Sequence, residues 1–341
     1  MTAAVTRPHH RTRGRQPLLM PGLLGLLLVA ALLSLAIGPV PLDPRQVFSA
    51  FLPGGEPMAH TIVVQLRLPR MLVGVLVGGM LGLSGAVLQG YLRNPLAEPS
   101  VIGASNAAAL GAVIALYFGL GELHASVLPL LAILVSLVAL GALFLLAGGS
   151  ESTLTLILAG IAIATMAGAG ISLALNLSPN PFAAMEIMTW LLGSIENRSL
   201  AHVFIALPCI VVGVAMLMMS GHALDALTLG EDGARSLGVN LGRTRLLVLL
   251  GTAIGVGGAV SVSGAIGFVG LIVPHLIRPL TDHSPSATLL PSFVGGAALL
   301  TLADVAVRLI PTTTELKLGV VTAFLGVPVF LVYLLKERRL W

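Results

Sequence analysis

Long apolar stretches without charged residues follow one another along most of the chain. A helix that crosses a membrane needs about 20 apolar residues. Because the apolar residues run continuously instead of alternating with polar ones, they predict membrane-spanning helices and not the strands of a barrel. The stretches that contain no Asp, Glu, Lys or Arg are residues 16–42, 71–92, 99–121, 123–150, 152–185, 199–224, 246–277, 283–303 and 318–335.

Two of these stretches contain signals that end a helix. In 152–185, the segment Ser178–Pro181 has two prolines, so the helix is expected to stop near Leu177. The stretch 246–277 is too long for one span, and its middle, Ser261–Gly267, has the composition of a tight turn. We therefore expect one full span there, followed by a shorter helix that ends near Leu280. The pattern predicts an all-α polytopic membrane protein with about ten transmembrane helices.

Composition supports this class. The 341 residues are 56% hydrophobic and only 9% charged, whereas soluble domains carry about 25% charged residues. The 40 glycines suit helices that pack closely through small residues. The net charge of +4 is explained by membrane topology, so we expect no nucleic-acid partner. A single cysteine, Cys209, excludes an internal disulfide and is expected to be a small buried apolar residue.

The basic residues predict the orientation. Both termini are rich in them, so the positive-inside rule places both in the cytoplasm and requires an even number of spans. Residues 1–17 would form a cytoplasmic tail, and residues 18–341 one transmembrane domain. The first apolar run, Leu18–Gly38, is longer than the apolar core of a signal peptide, which has about 7–15 residues, and it is expected to be an uncleaved span. Ten spans put 12 of 18 basic residues inside, and the six outside are Arg45, Arg67, Arg70, Arg198, Arg308 and Lys317.

Two segments 179 positions apart, Gly78–Pro95 and Gly257–Pro274, share residues at matching positions. They fall in the second and seventh predicted spans, which cross the bilayer in opposite directions. The match predicts an inverted internal repeat, a frequent transporter design. Two similar small-residue packing faces are the alternative explanation. The coincident pairs are Gly78/Gly257, Gly79/Gly258, Ser84/Ser263, Gly85/Gly264, Ala86/Ala265 and Pro95/Pro274.

The chain lacks a phosphate-binding loop, because neither of its two lysines, Lys317 and Lys336, is followed by Ser or Thr. Ion coupling needs ionisable groups within the membrane. The sequence offers few of them, namely Asp304, His275 and Arg278. An ion-coupled secondary transporter remains the rival class. The energy is expected to come from a partner ATPase, which would bind the polar stretch Leu227–Arg245 with its five charged residues and four glycines.

An enzymatic function and a metal site are weaker alternatives. Gly82–Gly85 matches the G-x-S-G of rhomboid-type intramembrane proteases, with Ser84 as nucleophile and His275 as a candidate base. Helix packing explains Ser84 better, since small residues surround it. His275 and His283 have no companion cluster of His, Cys, Asp or Glu, so no metal site is predicted.

Several motifs in fixed order resemble those of FecCD-type permeases, the membrane subunits of bacterial ABC importers for ferric siderophores, haem and cobalamin. The resemblance covers nearly the whole chain beyond the first span. The motifs are RLPR (67–70), LSGAVLQGYLRNPLAEPSVIGASNAAALGA (83–112), SGAIGFVGLIVPHLIR (263–278), DHSPSATLLP (282–291) and ELKLGVVTAFLGVPVFLVYLL (315–335).

The resemblance implies a ten-helix subunit of the bacterial cytoplasmic membrane that works as a homodimer or close heterodimer. ATPase subunits would bind on the cytoplasmic side and a substrate-binding protein outside, with lipid around the helices. The chain itself would bind no cofactor, since the partner uses the ATP. Ferric siderophore is the first expected cargo, followed by haem and cobalamin. The resemblance does not decide among these chelates, nor between homodimer and heterodimer.

The resemblance also assigns residues to three sites. Residues 220–245 would be the coupling loop, defined here by that range, with short helices that enter a cleft of the ATPase and with Ala234, Leu237 and Leu241 as apolar contacts. Arginines at the outer face would receive acidic residues of the binding protein, and a cytoplasmic gate would lie after the second span and between the fourth and fifth. The residues are Leu227, Gly230, Glu231, Asp232, Ala234, Arg235, Leu237, Gly238 and Leu241 for the loop, Arg67, Arg70 and Arg308 for docking, and Asn94, Leu96, Thr153 and Leu154 for the gate.

Overall fold

The computed structural model describes residues 16–124, 126–147, 153–312 and 314–337. The predicted N-terminal tail therefore lies almost wholly outside the described residues. Within them, every regular element is a helix. The α-helices are α1 (Gln16–Ala36), α2 (Pro44–Ser49), α3 (Pro57–His60), α4 (Leu68–Tyr91), α5 (Ala104–Tyr117), α6 (Val127–Ala147), α7 (Thr153–Asn176), α8 (Pro181–Leu191), α9 (Leu200–Met218), α10 (Gly221–Leu227), α11 (Glu231–Ser236), α12 (Leu241–Ser263), α13 (Val269–Ile277), α14 (Pro285–Leu309) and α15 (Leu318–Glu337).

Ten apolar helices in the described part of the chain match the ten predicted spans. Seven of them are long and apolar enough to cross a membrane: α1, the continuous run Pro57–Tyr91, α6, α7, α9, α12 and α14. Three are shorter, and these are α5, Val269–Leu280 and the apolar part of α15. A π-helix, Thr61–Arg67, joins α3 to α4. The all-helical, polytopic class is confirmed.

Neighbouring helices run in the directions that ten crossings require. On α4 and α14, Gly74 faces Thr301 and Gly82 faces Ser292, so residue numbers run in opposite senses and the helices are antiparallel. A Cβ on Gly82 would overlap the Ser292 carbonyl oxygen, which explains why glycine occupies this contact. The second and ninth crossings of an alternating series run in opposite directions, as observed.

The contacts between α5 and α7 show two helices that run in the same direction. Gly103, just before α5, lies against Ile163, and Leu110 lies against Gly170, so residue numbers rise together. The two helices are parallel, as the third and fifth crossings of an alternating series must be. The short helix α5 therefore occupies a full crossing in the order of spans, despite its 14 residues.

The expected breaks in the two long stretches are confirmed. Helix α12 ends at Ser263, and Gly264 follows with a φ of 70°, a conformation that glycine adopts without steric cost. Helix α13 begins at Val269, so the turn covers residues 264–268 and extends one residue beyond the predicted segment. Helix α7 ends at Asn176, next to the predicted Leu177. The helix α8 that follows was not predicted.

The two copies of the proposed repeat lie in α4 and α12, which are the most deeply buried of the span-length helices. Their conformations diverge after the shared serine. Gly85 lies within α4, whereas its counterpart Gly264 ends α12. Pro95 follows α4 in a turn, whereas Pro274 lies inside α13. The repeated residues thus support helix packing in both copies, but they do not build the same local structure throughout.

Candidate functional site

The coupling loop contains two short helices. A turn at Gly230 joins α10 to α11, and a turn at Gly238 joins α11 to α12. Both glycines have positive φ values, 90° and 82°, which residues with a side chain rarely adopt. The side chain of Asn240 begins α12 by accepting a hydrogen bond from the Arg243 amide at 2.9 Å. The short helices expected from the family resemblance are therefore present.

Burial divides the apolar residues of the coupling loop into two groups. Leu227 and Ala234 are buried in the main hydrophobic core, with 4% and 0% of their surfaces exposed. The expectation that Ala234 contacts a partner is corrected, because its side chain stabilises the loop from within. Leu229 and Leu237 are 69% and 63% exposed, and Leu229 was not singled out from the sequence.

Three charged residues of the loop lie on α11, and the exposed Arg243 lies at the start of α12. Asp232 and Arg235 form an ion pair at 3.1 Å, and the Asp232 side chain is almost fully exposed. Glu231 is half-buried at the start of the same helix. A surface pair of this kind contributes little to stability. These charges and the two exposed leucines form a mixed polar and apolar surface that a partner protein can bind.

Two contacts hold the coupling loop to the helical bundle. Asp225 on α10 accepts hydrogen bonds from the amide and the hydroxyl of Ser286 on α14, at 2.9 and 2.5 Å. At the other end of the loop, the guanidinium of Arg245 lies 5.2 Å from the centre of the Phe144 ring on α6. Arg245 is only 8% exposed. The loop is therefore attached to α14 and to α6.

The predicted gate residues lie at the same end of the bundle as the coupling loop. The side chain of Asn94 accepts a hydrogen bond from the Leu96 amide at 3.0 Å and stabilises the turn after α4. Leu96 lines a narrow apolar crevice with Leu271, Ile272 and Phe330. Their gating role stays a prediction.

The other half of the predicted gate is less completely described. Thr153 is the first residue of α7 and Leu154 is 65% exposed. The preceding loop, 148–152, lies outside the described residues. The gating role of this pair also stays a prediction.

A buried glutamine near the gate joins two helices. Gln89 on α4 donates hydrogen bonds to the carbonyls of Gly270 and Leu271 on α13, at 3.2 and 3.3 Å. Its side-chain oxygen accepts a hydrogen bond from Arg278 at 3.0 Å. The sequence signal that could have identified Gln89 is an uncharged polar residue within an apolar span.

The opposite end of the bundle contains an ion network built from two of the three predicted docking arginines. Arg70 on α4 binds Asp304 on α14 through both its Nε and Nη2 atoms, at 2.9 and 2.7 Å. It also pairs with Glu315 in the segment before α15. Arg308 binds the other oxygen of Asp304 at 2.7 Å. We call Arg70, Asp304, Arg308 and Glu315 the ion network.

Arginines also cap the end of α1. Arg67 donates hydrogen bonds to the carbonyls of Leu35, Ala36 and Val40. Arg308 donates to the Ile37 carbonyl at 2.8 Å. The carbonyls at a helix C-terminus lack partners within the helix and carry a partial negative charge. The two guanidinium groups supply hydrogen bonds to these carbonyls at the end of α1.

The three arginines thus have internal partners, and Arg67 is only 5% exposed. Snorkelling, in which a long basic side chain extends to the membrane interface to keep its charge in water, does not describe these contacts. Their role in binding-protein docking stays a prediction, and it would require at least one guanidinium to exchange its present partners. Arg70 is the most accessible candidate, with 12% of its side chain exposed against 2% for Arg308.

Two loop groups near the ends of the bundle have shifted pKa values. Hydrogen bonds from the Ser284 hydroxyl and amide to Asp282 lower the pKa of this carboxyl group. Burial lowers the pKa of Arg198, and the charge of Glu196 opposes that effect. Glu196 itself binds Lys317 at 2.9 Å, which joins the loop after α8 to the start of α15.

An open apolar cleft of about 560 Å³ lies between α8, α15 and the turn after α12. Its walls include Leu191, Leu192, Ala265, Gly319 and Phe324. Phe324 is 81% exposed. Among the described residues, those that line this cleft carry no charged side chain.

The structure gives no support to a protease site. Ser84 is fully buried, and its hydroxyl donates a hydrogen bond to the Leu81 carbonyl at 3.0 Å, one turn earlier in the same helix. His275 lies instead in the crevice beside Leu96. Among the described residues, no group of three or more His, Cys, Asp and Glu residues is placed to hold a metal ion.

The helical bundle and the anchored loop at one end define a multi-pass membrane permease. Comparison with known families is consistent with this class. Residues 26–336 match the model of the FecCD transport family, and the chain belongs to this family.

Relatives of known sequence agree. The uncharacterized ABC transporter permease protein YvrB of Bacillus subtilis is 38% identical over 303 residues, which are 86% of this chain and 84% of YvrB. The cobalamin import system permease BtuC of Halobacterium salinarum is 40% identical over 82% of this chain and 75% of its own length. The vitamin B12 import system permease BtuC of Salmonella typhi is 39% identical over 92% of this chain and 94% of its own.

Solved structures show the same fold. An ABC transporter assigned to the metal-chelate type, in an inward-facing conformation, aligns with a TM-score of 0.84 and 32% identity. The alignment covers 94% of this chain and 99% of that one. PsaBC from Streptococcus pneumoniae, solved with a Fab, aligns over 78% of this chain with a TM-score of 0.52 and 16% identity, a likeness in fold alone.

The chain is thus the permease subunit of an ABC importer, a multi-pass protein of the bacterial inner membrane. Permeases of this family work with separate ATPase partners and as dimers. The recognition of the family from sequence motifs is confirmed.

Proposed function

We propose that the coupling loop transmits the work of a partner ATPase and that the chain moves a bulky metal chelate into the cell. The observation that carries the proposal is the construction of the loop. Leu229 and Leu237 are exposed on the loop, whereas Ala234 packs in the core beneath them. A hydrogen bond between Asp225 and Ser286 attaches the loop to α14. A loop attached in this way can transfer force from a partner to the helices.

For the cargo, cobalamin takes the first place and ferric siderophore the second. The sequence motifs alone put siderophores first, but relatives in two organisms are named as cobalamin or vitamin B12 permeases. Haem is third. The apolar cleft beside α15, whose walls lack charged side chains, suits weak contacts with a large chelate during passage. Tight contacts would slow release.

The proposed assembly has two copies of this chain, two ATPase subunits and one substrate-binding protein. Both termini of the chain lie in the cytoplasm, because ten crossings put 12 of the 18 basic residues there. The ion network then faces outward, towards the binding protein. The chain binds no cofactor of its own, and lipid surrounds the outer faces of its helices.

Uptake into proteoliposomes tests the cargo. The vesicles contain the permease with its cognate ATPase and binding protein. They receive radiolabelled cyanocobalamin with excess unlabelled ferric siderophore, haem or cobalamin as competitor. ATP-dependent uptake that only unlabelled cobalamin reduces supports the first choice. Uptake of labelled ferric siderophore, with none of cobalamin, would place siderophore first. ATP-independent uptake would contradict the proposed function.

A further inference from the structure

Helix α14 carries contacts of different kinds at its two ends. Near its start, Ser286 binds Asp225 of α10. Near its end, Asp304 belongs to the ion network. A helix of 25 residues is about 37 Å long, so these contacts lie on opposite sides of the bundle. Between them, α14 packs against α4 with glycines on both helices, Gly78 and Gly296.

The contact between α10 and α14 joins residues 61 positions apart in the chain. The amide of Ser286 is one of the first amides of α14, which have no partner within the helix. Helix α14 already has a local cap, because the Ser284 hydroxyl accepts a hydrogen bond from the Ala287 amide at 3.3 Å. The carboxylate of Asp225 therefore does more than begin the helix. It attaches the coupling loop to α14.

The packing around this contact is close. A Cβ on Gly221 of α10 would lie 3.3 Å from the Ser286 Cβ and 3.4 Å from the Leu289 side chain. Leu224, also on α10, is fully buried. The negative carboxylate also interacts favourably with the positive end of the α14 dipole. Geometry and charge both favour movement of α10 and α14 as one body.

We infer that Asp225 is a positioning residue through which the coupling loop drives α14, and that α14 carries the displacement to the helix α4 and to the ion network. The inference rests on the proposed function, since it supposes that an ATPase moves the loop. Asp225 contacts neither cargo nor nucleotide in this account. It makes the loop and the ninth membrane crossing a single mechanical element.

The chain offers a matched control on the same helix end. Asp282 accepts hydrogen bonds from the amide and hydroxyl of Ser284, at 3.1 and 2.8 Å. This pair has the same chemistry as Asp225 with Ser286, but its two residues are neighbours in one exposed turn, so its hydrogen bonds do not connect two helices. Asp225→Ala and Asp282→Ala therefore remove similar hydrogen bonds with different mechanical consequences.

The first readout is the number of cargo molecules imported per ATP hydrolysed by the complete transporter. Hydrogen bonds to a charged group are strong, so Asp225→Ala is expected to lower this ratio by about tenfold. Ser286→Ala is expected to lower it less, because the backbone amide remains as a donor. Asp225→Asn is expected to restore part of it. The inference is overturned if Asp225→Ala keeps the ratio, or if Asp282→Ala lowers it equally.

The second readout does not require transport. Spin labels are attached to His222→Cys on α10 and Leu290→Cys on α14, both exposed positions, after Cys209→Ser. The distance distribution is expected to be narrow with Asp225 and broad with Asp225→Ala. An equally narrow distribution in the variant would overturn the attachment itself. An unaltered transporter without ATP-dependent uptake would instead contradict the proposed function, and the distance measurement would still decide on the attachment.

Discussion

The Nη2 atom of Arg70 lies 2.7 Å from the Oδ1 atom of Asp304 and joins the start of α4 to the end of α14. The same carboxylate binds Arg308 through its other oxygen, also at 2.7 Å. One buried negative charge thus holds two arginines. At this end of the bundle, charge pairing adds to the apolar packing of the helices.

Asp304→Asn is expected to destabilise the protein by about 3–5 kcal/mol, because it removes the carboxylate paired with the buried guanidinium of Arg308 and leaves Arg70 with Glu315 as its acidic partner. Thermal unfolding of the purified permease in detergent measures the change. Asp232→Asn is the control, since that side chain is 99% exposed and its ion pair lies at the surface. An unfolding temperature for Asp304→Asn equal to that of the control would contradict the role given to the network.

Gly82→Ala is expected to push α4 away from α14, because the added methyl group overlaps the Ser292 carbonyl. The expected loss in free energy of unfolding is about 1–3 kcal/mol. Gly141→Ala on α6 is the control. Nothing lies within 4 Å of a Cβ there, and alanine favours a helix over glycine by about 1 kcal/mol. The two variants should therefore shift the unfolding temperature in opposite directions. A Gly82→Ala protein as stable as the wild type would show that the contact is looser than described.

Leu237→Ser is expected to weaken binding of the partner ATPase by about fivefold or more, because apolar anchors dominate the affinity of an interface. Leu123→Ser is a suitable control: this leucine is 76% exposed and lies in the loop between α5 and α6. The Kd is measured by titrating the ATPase onto permease in nanodiscs. Equal affinities for both variants would remove Leu237 from the docking surface.

Glu315→Gln is expected to strengthen the binding of the substrate-binding protein by about tenfold, if Arg70 docks it, because one charged competitor for that guanidinium is removed. Glu196→Gln releases Lys317 instead and serves as the control. Surface-immobilised permease and soluble binding protein give both values of Kd. A Glu315→Gln permease whose affinity is unchanged would argue against docking at Arg70.

Much of the fold was predictable because the membrane imposes it. Long uncharged stretches, the prolines after Leu177 and the small residues after Ser261 were enough to locate the helix breaks. Helix α8 was missed because Glu186 divides it: its first five residues belong to the uncharged stretch of α7, and the rest, residues 186–191, is too short to be recognised from charge spacing. The short crossing α5 shows that length alone undercounts spans when a helix is flanked by ordered turns.

The site was less predictable than the fold. Residues of the coupling loop could be located, but a six-residue helix such as α11 is too short for periodicity to show which face is buried. Ala234 therefore seemed available, and Leu229 was missed. The arginines were correctly placed at one end of the bundle, but their partners were not. Arg67 binds carbonyls of α1, which no sequence pattern records.

The central claim is that a separate ATPase drives import through this permease. The most direct measurement compares uptake of labelled cobalamin and ferric siderophore in two strains. One expresses the permease with its cognate ATPase and binding protein, and in the other the ATPase has lost its P-loop lysine. The account predicts uptake of at least one chelate in the first strain and none in the second. Uptake that survives in the second strain and falls with an uncoupler would contradict the account and favour an ion-coupled transporter.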